Sequence, residues 1–141
     1  MTQGIKSHGT ILAIGNGASP EVFQTITERF AIPEVGGRKT LIDFSNHDSQ
    51  NFMEYQVADL ADGNELTIEC NEIPGDTQQN LVRTAHENST VDNWQVEYRD
   101  GTTETFPAIV LAAGTDPSEL DGRVVFRFVL KIAGAITRVT A

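Results

Sequence analysis

Arg123-Val-Val-Phe-Arg-Phe-Val-Leu-Lys-Ile132 decides how the rest of the chain is read. Val124, Phe126, Phe128, Leu130 and Ile132 alternate with Arg123, Val125, Arg127, Val129 and Lys131. A period of two puts every large apolar side chain on one face, as in a strand whose other face meets solvent. The same period recurs upstream. In Glu65-Leu-Thr-Ile-Glu-Cys70, Leu66, Ile68 and Cys70 share one face, and Glu65, Thr67 and Glu69 the other. From Asn93 to Tyr98, Trp94, Val96 and Tyr98 face one way, with Asn93, Gln95 and Glu97 opposite. Half-buried strands of this kind build antiparallel sandwiches and barrels.

Working outward, Thr10 to Ile14, Val22 to Glu28 and Lys39 to Phe44 are three further strand candidates. Gly36-Gly37, Asp62-Gly63, Pro74-Gly75, Asp100-Gly101 and Asp121-Gly122 carry turn signals. Asp100-Gly101 joins the Trp94 strand to Thr102–Ala113 as a hairpin. Ile109, Val110 and Leu111 make that second strand apolar on both faces, which predicts a central or covered position. One helix is predicted over residues 77–88. Asp76 caps it, Gln79 follows in near capping-box spacing, and Leu81 and Ala85 share a face with Val82 beside them. Residues 45–61 have no clean period and mix Asn, Asp, Ser and Gln, which predicts a long loop. The expected fold is mainly β: an antiparallel sandwich or barrel-like sheet with one short flanking helix, with residues 1–141 as a single domain.

The chain has 141 residues and a formal charge of −10. The excess is not spread evenly. Between Thr40 and Tyr98 there are twelve acids and only Arg83 opposes them, while both flanks are close to neutral. Such a balance disfavours a DNA or RNA binder, because phosphate contacts come from Lys and Arg. It also disfavours adhesion to an anionic membrane surface. The longest apolar run, Pro107 to Gly114, falls far short of the ~20 residues of a membrane helix. Cys70 has no partner for an internal disulfide, and Met1-Thr-Gln-Gly does not begin like a secretory signal, so a reducing compartment is expected.

Candidate chemistry is sparse. Gly15-Asn16-Gly17-Ala18 follows a strand, but Ser19-Pro20 leads into a β-branched stretch instead of the helix a dinucleotide site needs. His8, His47 and His86 lie at no metal-ligand spacing. His47-Asp48-Ser49 are neighbours in one segment and build no relay by themselves. Glu65 and Glu69 stand roughly 13 Å apart along a strand at ~3.3 Å per residue, too far for a glycosidase pair. Cys70 falls on an apolar strand face, as a small core residue. No catalytic, cofactor or metal residue is expected, and the chain is not expected to be an enzyme.

Gly9-Thr-Ile-Leu-Ala-Ile-Gly-Asn-Gly-Ala-Ser-Pro-Glu-Val-Phe-Gln-Thr-Ile26 resembles the first hairpin of the tail tube (major tail) proteins of long, non-contractile-tailed bacteriophages, the lambda-like group. That family opens with a G-T-x-L strand, a small-residue turn and an F-x-x-I strand. The resemblance continues in pattern and order through Thr40-Leu-Ile-Asp-Phe-Ser, Asp48 to Gly63, Glu65 to Asn71, the helix, Trp94 to Phe106 and the last strand. It departs at Glu54-Tyr-Gln-Val-Ala-Asp-Leu-Ala-Asp-Gly63, where relatives often carry a more glycine-rich G-L-x-D-G ending. It also departs in ending at Ala141, without the immunoglobulin-like domain some relatives add.

The resemblance implies a structural virion protein whose six-membered rings stack into a tail tube that conducts DNA into the host. Its partners would be copies of itself and the tape measure, terminator and tail tip proteins. DNA would pass without specific binding, no membrane would be involved, and no cofactor is implied. The protein would be made in the host bacterial cytoplasm and reside in the virion tail. In such an assembly the 45–61 segment is expected to pack onto neighbours, through Asp48, Asn51, Phe52, Tyr55 and Leu60. Glu65, Thr67 and Glu69 are the expected lumen face, since acids repel phosphate. The alternative is another virion sandwich protein, such as a tail terminator or a head decoration protein.

Overall fold

A computed structural model describes residues 4–17, 21–117 and 122–141. Positions 18–20 of the opening small-residue turn, Asp121 of the Asp121-Gly122 turn and the Met1-Thr-Gln start lie outside the described residues.

The elements run β1 (Ile11–Gly15), β2 (Phe23–Thr25), β3 (Gly37–Asp43), β4 (Tyr55–Gly63), β5 (Glu65–Asn71), α1 (Thr77–Asn88), β6 (Val91–Glu97), β7 (Thr103–Asp116), β8 (Val125–Ile132) and β9 (Thr137–Val139). Seven strands form one antiparallel sheet in the order β2-β1-β6-β7-β8-β5, with β9 also paired to β7. β3 and β4 pair only with each other. Among the described residues the fold is therefore mainly β with a single helix and no closed barrel. The sheet nonetheless curls: one isolated antiparallel bridge, Arg29 to Cys70, ties the segment after β2 to β5 at the opposite edge.

The alternation read in the sequence is the alternation of burial. Phe126, Phe128, Leu130 and Ile132 of β8 point inward, as do Leu66, Ile68 and Cys70 of β5. Their register places like against like: Ile68 opposite Phe128, Cys70 opposite Phe126, Leu66 opposite Leu130. Trp94 pairs with Phe106 across β6 and β7, and its ring lies 5.8 Å from that of Phe128. β7 is central, as its doubly apolar stretch predicted. A register shift between Val110 and Ala112 turns Leu111 out to solvent, and Ala113, opposite Phe128, then packs against the core.

Asp76 caps α1 by accepting from the Gln79 backbone N–H at 3.4 Å, and Ser89 ends the helix in the left-handed region at φ 53°. The buried stripe is Gln79, Val82 and Ala85, with Leu81 partly buried against the core, so the expected apolar face stands and Gln79 joins it. Gln79 does not complete a capping box. Its amide donates to Asn71 O at 2.8 Å and accepts from Ile73 N at 3.1 Å, which fastens the helix to the end of β5. Arg83, the lone base of the acidic third, joins α1 to the sheet as well. It reaches both carboxylate oxygens of Glu72 at 2.7 and 2.8 Å and lies over the Phe126 ring.

Three expected boundaries are corrected. Val22 to Glu28 yields only β2, Phe23–Thr25, and Glu28 sits at φ 54°, outside the strand region. Asp62-Gly63 is no turn but the end of β4. There a Cβ on Gly63 would meet Ile132 Cβ at 2.6 Å and Ile132 O at 2.7 Å, so the close approach needs glycine. The expected loop over 45–61 is a strand from Tyr55 onward, and only residues 44–54 form the turn between β3 and β4.

Candidate assembly surfaces

The β3–β4 hairpin is anchored only at its root. Asn64 N donates to Gly36 O at 2.9 Å, and Ile132 N donates to Asn64 O at 3.2 Å. Lys131 Nζ donates to Gly63 O at 2.6 Å and to Asp62 Oδ1 at 2.8 Å. Beyond that root every residue of β3 is exposed, and β4 is exposed on both faces. Leu41 opposes Val57 and Asp43 opposes Tyr55, so Leu41, Val57 and Tyr55 share one side of the ribbon. All three stay exposed, as do Ile42, Phe44 and Met53.

The turn at its tip is tied by its own polar groups. Phe44 N donates to Glu54 O, Glu54 N to Ser45 Oγ at 2.8 Å, and Ser49 Oγ to the Glu54 carboxylate at 3.1 Å. Asp43 accepts from Ser45 N, which holds its carboxyl below the usual carboxylate range.

The expected assembly residues distribute along this arm. Asp48, Asn51 and Phe52 lie in the turn, and Tyr55 opens β4. Leu60 sits where the register shifts and β4 bulges. Phe52 is 84% exposed and Leu60 85%, so neither contributes to the core of its own subunit. Leu41, Ile42, Phe44, Met53 and Val57 belong to the same surface and were not singled out from the sequence. Their signal was there: large apolar residues inside a strongly acidic stretch with no buried period.

Glu65, Thr67 and Glu69 come together on the outward face of β5, as their spacing required. Across the strand pair they face Lys131, Val129 and Arg127. The face is thus not bare acid. Arg127 donates to Glu69 at 2.7 Å and lies 3.4 Å from Asp116, and the hydrogen bond with Glu69 raises its already high pKa. Lys131 is held by Asp62. Both cations of β8's outward face are bracketed by carboxylates.

A further polar cluster sits at the far end of β7. Glu104 is buried, accepts from Tyr98 Oη and lies 4.0 Å from Arg138. Burial first, and then this hydrogen bond, push the Tyr98 phenol up to about 12. Among the described residues no group of His, Cys, Asp or Glu is placed to hold a metal ion.

Neither a family model nor a curated protein sequence matches this chain. Its fold does match solved structures. A chain in the virion of a native gene transfer agent particle superposes at TM-score 0.75 with 14% identity, over 97% of this chain and all of that one. One in the tail of an empty gene transfer agent particle with C6 symmetry gives 0.72 and 16%, over 92% and 96%. A third, in the tube terminating cap of the anti-feeding prophage, gives 0.76 and 9%, over 100% and 94%. At such identities the likeness shows the fold. The chain has an architecture found in phage-like tails and injection apparatus, at nearly the full length of the chains it matches.

Proposed function

We propose that this protein is a structural subunit of a phage-type tail, and that its particular role is the tail tube of a long, non-contractile-tailed phage. Rings of six subunits stack into a conduit for DNA, and the tape measure, terminator and tail tip proteins meet its ends. The observation that carries the reading is the β3–β4 hairpin, which buries neither of its faces within its own subunit. An isolated two-stranded ribbon is marginal in water, and an exposed apolar one invites association. Shared fold with a chain of a C6-symmetric gene transfer agent tail supports the same conclusion.

The outward face of β5 and β8 is the proposed lumen. Its two acids, Glu65 and Glu69, match its two bases, and with Asp62 and Asp116 the neighbouring strands bring the carboxylates to four; ion pairs occupy Arg127 and Lys131, so neither is free to hold a phosphate by counterion release. A tail terminator is the second reading, favoured by the equally good fold match to a tube terminating cap. Negative-stain microscopy of the concentrated protein separates the two. A tube subunit gives open-ended stacks; a terminator stops at one ring. A protein that stays monomeric at high concentration contradicts both.

A further inference from the structure

Three of the chain's ten Lys and Arg residues line one groove, and two more lie against its lining residues. Residues 5–10 entering β1 and residues 28–34 leaving β2 border this open groove of about 930 Å³. Lys6, Arg29 and Arg138 line it. Arg99 lies beside Gly9, and Arg123 lies 4.0 Å over the ring of Phe30, Gly9 and Phe30 both being lining residues. Arg29 is fixed in place by donating to Ile26 O and Thr10 O. Against these three lining cations stand the lining acids Glu28 and Glu34, and Glu104 lies 4.0 Å from Arg138. Ile5, Phe30, Ile32 and Pro33 supply apolar wall.

The hairpin carries the complementary set. Residues 40–64 include Asp43, Asp48, Glu54, Asp59 and Asp62 and no Lys or Arg, the hairpin's two bases, Arg38 and Lys39, standing at its root. Its tip adds the exposed Phe44, Phe52 and Met53. No hairpin residue lines the groove of its own subunit.

We infer that the groove is the receptor for the hairpin tip of a second copy of this chain. This deepens the tube reading and rests on it. Acidic groups at the tip meet the cationic rim, and the tip's aromatic and thioether side chains cover the apolar wall. Because donor and receptor are different surfaces, the contact is heterologous and propagates from subunit to subunit instead of closing a two-fold dimer. Opposite charges across it set the register of docking and speed encounter.

Charge exchange tests the pairing. The tip variant Asp48→Lys/Glu54→Lys and the groove variant Lys6→Glu/Arg138→Glu are purified, and their folding is checked by circular dichroism and thermal melting. The concentration at which each assembles is then read by sedimentation. Each alone should raise the wild-type threshold at least about tenfold, and both sets in one chain should bring it back most of the way. Added salt should raise the wild-type threshold and flatten these differences. Folded groove variants that assemble at the wild-type threshold would show that the hairpin docks elsewhere, leaving the tube reading intact. Loss in both variants without recovery in the combination would refute the pairing of these two surfaces. Failure of the wild-type chain to assemble at all would overturn the tube reading itself, and the pairing with it.

Discussion

Replacing Phe52 and Leu60 by serine separates assembly from folding. Both side chains are more than four-fifths exposed, at 84% and 85%, so the subunit loses almost no buried area with them. Surface changes of this kind alter stability by about 0.5 kcal/mol or less. In the proposed assembly the same residues become covered. Burying a Phe or Leu side chain is worth ~1.5–3 kcal/mol, so the pair contributes ~3–6 kcal/mol to each subunit contact. At ~1.4 kcal/mol per tenfold, the assembly threshold should rise by roughly two to four orders of magnitude. The assay is sedimentation across a concentration series, with thermal unfolding of the unassembled subunit measured alongside. Unchanged melting with the threshold raised by that amount is the expected result. Tubes forming at the wild-type concentration would refute the reasoning, and so would a drop in melting temperature typical of core variants.

Gln79→Leu should destabilise the fold by ~1–3 kcal/mol for each backbone group it orphans, Asn71 O and Ile73 N, and denaturant unfolding reads this directly. Tyr98 should titrate near 12 in the folded chain, against an ordinary tyrosine near ~10. Because its folded pKa is raised, the stability it adds is fully present below ~10 and is lost as pH climbs toward 12. Ultraviolet titration of a Tyr55→Phe chain, in which Tyr98 is the remaining tyrosine, checks the value. Cys70 is fully buried and burial pushes its thiol to about 11, so a thiol reagent should label it only after denaturant unfolds the chain.

Sequence legibility followed burial. β8 and β5 were legible because one face of each packs a core, and selection for that face writes the alternation into the residues. The Asp100-Gly101 hairpin was legible for a local reason. Thr102 N and Oγ1 bond the Asp100 carboxylate, and Gly101 takes φ 95°. β4 was missed for the opposite reason. Tyr55-Gln-Val-Ala-Asp-Leu-Ala-Asp-Gly63 buries neither face in the subunit, so no period of two is imposed on it. β9 has only three residues, all exposed, and left no pattern to read. The groove was illegible because its lining cations come from residues 6, 29 and 138, which only the folded sheet brings to one place.

The outward acids of β5 were placed correctly, but their pairing was not visible from their own strand. Register sets it: Glu69 lies opposite Arg127, and that follows from how β5 and β8 align, not from either strand read alone.

The central claim is that the exposed hairpin exists to be covered by other copies of this chain. A helical reconstruction of tubes grown from the purified protein measures this most directly. The account predicts stacked six-membered rings with Phe52 and Leu60 buried against neighbouring subunits. Tubes in which residues 44–54 remain in solvent would contradict it.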